Sequence, residues 1–108
     1  MYSGSAILAR AGLLEGRRAT SNKIFFRLAS AQSDGVVWEE AARWVVDGPF
    51  VTSSGVSAGT DMALAVIADL HGPAFAEYVA VLTEYTWHRD AAHDPYAASL
   101  DRSPTPPG

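Results

Sequence analysis

Apolar residues recur at helical spacing in some stretches of the chain and run together in others, and the breaks fall at glycine, proline and short polar clusters. In the first stretch Ile7, Leu8 and Ala11 share a face of a half-buried helix that Ser3 or Gly4 can cap and Gly12 can end. After the turn at Leu14-Glu15-Gly16, residues 17–21 read as a brief strand. Residues 24–31 read as a short helix with Phe25, Leu28 and Ala29 on one side, closed by a polar loop at 32–35. Residues 43–46 and 50–53 are β-rich runs joined by Asp47-Gly48-Pro49, a hairpin signal because glycine accepts the positive φ that such turns need. A small-residue loop, Ser54 to Gly59, then leads to a helix over 58–70 that Ser57 can cap.

That helix carries Thr60, Asp61 and Asp69 as its strongly polar breaks, so the pattern predicts burial on most of its faces, partly against Val45, Val46 and Val51. Gly72-Pro73 closes it and starts the next, since proline suits a first helical turn. There Phe75, Tyr78, Val79, Leu82 and Thr86 fall on one face, with Glu77 and Glu84 outward. The pattern fails from Trp87 onward. The order is helix, strand, helix, hairpin, buried helix, amphipathic helix, an α/β arrangement short of parallel strands to cover the buried helix.

Composition narrows the function classes. With 48% hydrophobic and 19% charged residues in a chain of 108, one globular core is expected. A net charge of −4 and eight scattered basic residues give no clustered footprint for nucleic acid. The absence of cysteine excludes disulfides, thiolate metal sites and a thiol nucleophile within this chain. The longest apolar stretch, residues 62–68, is too short to span a bilayer and no signal-like segment is visible, so a cytoplasmic protein without membrane partners is expected.

Several residues invite chemistry, each with a plainer alternative. Ser3 before a helix is a cap in most proteins, and Asp61 near a helix start suits the helix dipole. His88, His93 and Asp94 are metal-ligand types, but five residues separate the histidines, against the four that place two on one helical face, so a solvated loop is favoured and no metal is expected. Trp38, Trp44 and Trp87 read as packing rather than a ligand pocket. The glycines at 55 and 59 lack the lysine of a phosphate loop, and no cofactor is expected.

The stretches SGSAILARAGLLEGRRATSNK, ARWVVDGPFVTSSGVSAGTDMALAVIADLHG and EYTWHRDAAHDPY, in this order, resemble the C-terminal half of the ThiJ/PfpI family, in particular the isonitrile hydratase-like branch of the class I glutamine amidotransferase-like superfamily. The run Thr52 to Met62 carries the resemblance most specifically, with Ala11 to Thr20 as a second anchor. The likeness implies a partial flavodoxin-like, doubly wound α/β sheet lacking its N-terminal parallel strands. Residues 1–97 would be the C-terminal portion of the domain and 98–108 a disordered proline-rich tail.

The likeness also implies a nucleophile elbow before the first helix. Its family pattern, Cys-Thr-Gly, falls on Tyr2, Ser3 and Gly4, so Tyr2 takes the cysteine position and Ser3 the threonine position. A histidine of many relatives falls on Asn22, and an acidic partner lies in the half outside this chain. A phenol with a pKa near 10 offers little anion at neutral pH. The expected function is therefore that of a truncated relative of hydratases acting on a small carbon–nitrogen or related electrophile, inactive alone. The alternative is a non-enzymatic ligand-sensing or interaction module. A homodimer, or pairing with the missing half, is the expected association, the former because family members are commonly dimeric.

Overall fold

The computed structural model describes residues 1–107. Four helices, α1 (Gly4–Arg10), α2 (Phe26–Ser30), α3 (Val56–His71) and α4 (Pro73–Leu82), accompany four short strands, β1 (Arg18–Ala19), β2 (Val37–Trp38), β3 (Trp44–Asp47) and β4 (Phe50–Ser53). β1 and β2 pair in parallel, Arg18 opposite Val37, while β3 and β4 form an antiparallel hairpin with Trp44 opposite Ser53. Gly48 turns the hairpin at φ 58°, in the left-handed region that glycine occupies without strain. The described residues fill a slab of 43 × 38 × 19 Å, about two layers thick.

The two strand pairs are joined through side chains. The Thr20 N–H donates to Thr52 Oγ1 at 3.0 Å and the Arg18 N–H to Asp47 Oδ2 at 2.8 Å, so hairpin side chains satisfy a β1 edge that has no backbone neighbour there. β2 was not foreseen in the sequence: two residues give no alternation to read.

α1 ends as its sequence predicts. Gly12 sits at φ 81° and donates to Ala9 O, while Leu13 N donates to Leu8 O, the pair of bonds that defines a Schellman stop. Its inward face differs from the expectation. Ser5 and Ala9 are buried, Leu8 is half-buried, and Ile7 and Ala11 face outward, Ile7 at 73% exposure. α2 likewise buries Phe26 and Ala29 and exposes Phe25 and Leu28. The apolar cluster is small: Ala9, Leu14, Ala19 and Val36, with Leu8, Trp38 and Phe50 against it.

α3 starts two residues earlier than predicted, at Val56, with Gly55 as its N-cap residue, so Ser57 lies inside the helix and caps nothing. The expected burial on most faces is not found. Ala58, Gly59, Asp61 and Leu64 are buried, while Met62, Val66 and Ile67 are half-covered and Leu70 is exposed. α3 lies against α4 and touches β3 and β4, with Val45 buried but Val46 outward-facing. α4 presents the small residues Ala76 and Ala80 inward rather than Phe75, Tyr78 and Leu82, and it ends before Thr86. Small side chains permit close helix approach, and the displaced aromatics stack outside, His71 on Phe75 at 5.6 Å and Phe75 on Tyr78 at 6.0 Å.

Beyond α4 the chain crosses back over the start of β3, with Arg43 N donating to Ala91 O and Asp94 N to Ala41 O. A 3-10 turn at Ala97–Ser99 follows. Asp101 then binds Lys23 O through its N–H and accepts the Arg27 N–H, both at 2.7 Å. Among the described residues no helix is long and apolar enough to cross a membrane.

Candidate functional site

Tyr2 occupies the turn into α1 at φ 52°, a left-handed conformation that is uncommon for a bulky residue. It is held from both sides. The Tyr2 N–H donates to Ser54 O at 2.7 Å, and Tyr2 O accepts from Asn22 N and Ser21 Oγ, both at 3.0 Å. Three segments meet here: the helix entry, Ser21 and Asn22 just after the Ala11–Thr20 run, and Ser54 in the Thr52–Met62 run. Met1 packs over Gly59 of α3, where a Cβ would come within 2.5 Å of the methionine Cγ, so a larger residue there would displace the Met1 side chain. Ser3 is at the N-cap position of α1 but its hydroxyl makes no capping bond.

Tyr2 also lines the main enclosed cavity, about 440 Å³, together with Asn22, Lys23, Arg43, Ser57 and Tyr96, while a larger and more open groove of about 550 Å³ runs along α1 past Ser3 and Arg10. Gly55, at the α3 N-terminus, and Arg102, from the C-terminal segment, are in the same wall. Ser3 is not among the lining residues, so of the two residues at this turn only Tyr2 meets this cavity.

Behind the wall is a buried charge network that the sequence did not announce. Arg43 directs Nε and Nη2 at Asp61 Oδ2, at 2.8 and 2.6 Å, and Nη1 at Asp94 Oδ1 at 3.4 Å. Burial works against the Arg43 charge, but the hydrogen bond and charge of Asp61, with Asp94 behind, outweigh it and hold the guanidinium above its usual range. Asp61 also accepts the His88 N–H at 2.9 Å, so its role is an ion pair that ties α3 to β3 and to the return loop rather than a helix-dipole contact.

Lys23 is buried with its Nζ donating to Thr20 Oγ1 (2.9 Å), Ser21 O (3.2 Å) and Ala42 O (2.7 Å), and lying 3.9 Å from Asp94 Oδ2. Burial lowers its pKa to about 8, with Asp94 and Glu40 opposing the shift. The signal that could have found it is a lone lysine at the head of the apolar run Ile24-Phe25-Phe26; its Nζ lies 5.2 Å from the Phe26 ring centroid.

The other sequence candidates fall elsewhere. His93 pairs with Asp90 at 2.9 Å on the surface, and Asp94 points away from it into the charge network, so the structure separates the residues that a metal reading would join. The hydrogen bond from His93 holds the Asp90 carboxyl below the usual range. Trp44 is buried, Trp38 packs edge-on to Phe26, and Trp87 carries Arg89 over its ring at 4.2 Å. None of the three lines the main cavity.

Residues 3–69 match the family described as the DJ-1/PfpI family. The chain is 40% identical over 78 residues to the HTH-type transcriptional regulator CdhR of Pseudomonas aeruginosa, covering 71% of this chain and 23% of that protein. It is 35% identical over 83 residues to isonitrile hydratase of Pseudomonas putida, covering 77% of this chain and 35% of the relative. Among solved structures, a ThiJ/PfpI family protein from Pseudomonas syringae superposes with a TM-score of 0.62 at 38% identity, over 78% of this chain and 34% of the other. The chain thus spans about a quarter to a third of the length of these proteins.

Proposed function

Because the chain belongs to the DJ-1/PfpI family, we propose that it carries the elbow corner of an isonitrile hydratase-like site in a form that holds a small ligand without turning it over. The observation that carries this reading is Tyr2: a non-glycine residue at positive φ, fixed on both sides by backbone bonds at the entry to a helix, with its side chain in the wall of the main cavity. Strained turns of this kind expose a reactive side chain in hydrolytic elbows. Here that side chain is a phenol, and no cysteine exists in the chain to replace it.

The surroundings supply no substitute for the missing nucleophile. His71, His88 and His93 are exposed and none lines the cavity. The ammonium of Lys23 has no lone pair with which to accept a proton, and its three donors are engaged by Thr20, Ser21 and Ala42 rather than turned to the cavity. Ser3, at the neighbouring elbow position, serves the turn rather than the reaction.

Turnover of a small isonitrile is the test. The unmodified chain is expected to show none above buffer, and Tyr2→Cys is the single change from which activity would emerge. Turnover by the unmodified chain that survives Tyr2→Phe overturns the site assignment. A second reading, a non-enzymatic sensing module, is favoured by the 40% identity to a transcriptional regulator. Under that reading Tyr2→Cys stays silent while ligand binding persists.

A further inference from the structure

We propose that the cavity beside Tyr2 is a binding site for a small organic monocarboxylate, held by the N-terminus of α3, the Asn22 amide and Arg102; the proposal rests on the reading of this cavity as the ligand site. Three observations converge on it. First, no side chain caps α3, a helix of 16 residues, so the N–H groups of Val56, Ser57 and Ala58 are open at its positive end, and Gly55 and Ser57 lie in the cavity wall.

Second, Asn22 lines the same cavity at 2% exposure, and its Nδ2 finds no acceptor in the protein. Its one amide contact is with Ser21, whose single hydroxyl proton is already shared with Tyr2 O at 3.0 Å and reaches Asn22 Oδ1 only at 3.4 Å. A buried donor left in this state is destabilising unless something supplied from outside accepts it. An oxygen of a bound carboxylate does so, and the same group answers the open α3 N–H groups.

Third, the charge balance of the wall fits one negative charge. Lys23 and Arg43 are offset by Asp61 and Asp94 within the buried network, which leaves the exposed Arg102 uncompensated on the cavity rim. A dianion such as phosphate would bring one negative charge more than Arg102 balances. Tyr2, Ile24 and Tyr96 give the remaining wall an apolar and aromatic character suited to the organic part of the ligand.

Calorimetric titration of the full chain with sodium benzoate, benzamide and inorganic phosphate tests this, with circular dichroism on every variant to verify its fold. Saturable benzoate binding at one site is expected, at least tenfold tighter than benzamide or phosphate. Asn22→Asp, which keeps the shape but turns the donor into a charged acceptor, should weaken benzoate at least tenfold; Arg102→Gln should weaken it several-fold, and Arg10→Gln, in the open groove along α1 and outside the cavity wall, not at all. Equal affinity for benzoate and benzamide, tighter phosphate, or no effect of Asn22→Asp in a folded chain overturns the proposal. Tyr2→Trp, which fills the elbow side of the cavity, should abolish binding; unchanged binding would place the ligand elsewhere and refute the site. The enzymatic reading fails separately, if benzoate binds as described and Tyr2→Cys gains no turnover.

Discussion

Arg43 and Lys23 are the residues on which the interior depends. Among the fully buried side chains of the molecule are Thr20, Thr52, Asp61, Ser21, Ser53 and Ser54, so around these two cations the centre is polar rather than oily. Asp61→Ala leaves the Arg43 guanidinium buried with its best partner gone, and a loss of about 3–5 kcal/mol is expected in urea unfolding. The double variant Arg43→Met with Asp61→Leu should recover much of that loss, which a double-mutant cycle would register.

Lys23 gives a pH signature. Its folded pKa of about 8 lies below the unfolded value, so between these two the unfolded chain binds more protons and stability rises with pH. Unfolding free energy should therefore climb from pH 8 to pH 9.5, short of the range where Tyr85, whose phenol is pushed up by burial and by Asp61, begins to act in the opposite sense. Lys23→Met should flatten that climb. The lone lysine before an apolar run was visible in the sequence, but its partners were not. Asp94 stands 51 residues from Arg43, and Asp61 stands 18, so no local spacing links them.

At the scale of elements, the turns were legible and the faces were not. Gly12 and Gly48 do what glycines with positive φ do, and the hairpin and the end of α1 followed from them. Gly12→Ala should cost about 1 kcal/mol, measured by chemical denaturation, because alanine resists the left-handed conformation that the Schellman stop needs. Helix faces were misjudged because hydrophobic spacing weighs large residues most, whereas much of the contact here is made by Ser5, Ala9, Ala58, Ala76 and Ala80, beside Phe26 and Leu64. Thermal melts should separate the two descriptions: Ala80→Leu, which overpacks the α3–α4 seam, should cost about 1–3 kcal/mol, while Phe75→Ala on the outer face should stay within about 0.5 kcal/mol. The family motifs were the legible part of the site, since Ser54 bonds Tyr2 directly and the Thr20–Thr52 bond joins the two motif runs beside it.

The molecule as a whole leaves much apolar surface uncovered. Ile7, Leu28, Leu70, Leu82 and Val81 are more than half exposed, and Val81 reaches 75%. Surfaces of this kind associate or bind dyes specific for apolar area. Light scattering over a dilution series at tens of micromolar should therefore give a mass above that of the 11.5 kDa monomer, falling on dilution. A clean monomer without dye binding would contradict it.

The assignment of Tyr2 to the elbow is tested most directly by the reactivity of the thiol introduced by Tyr2→Cys, followed by alkylation rate against pH with and without benzoate. An elbow thiol beside Arg43 and open helix N–H groups should titrate below the ordinary value of about 8.5 and be protected by the ligand. A thiol that titrates at the ordinary value and reacts at the same rate with benzoate present would show that position 2 is a surface residue and not the elbow.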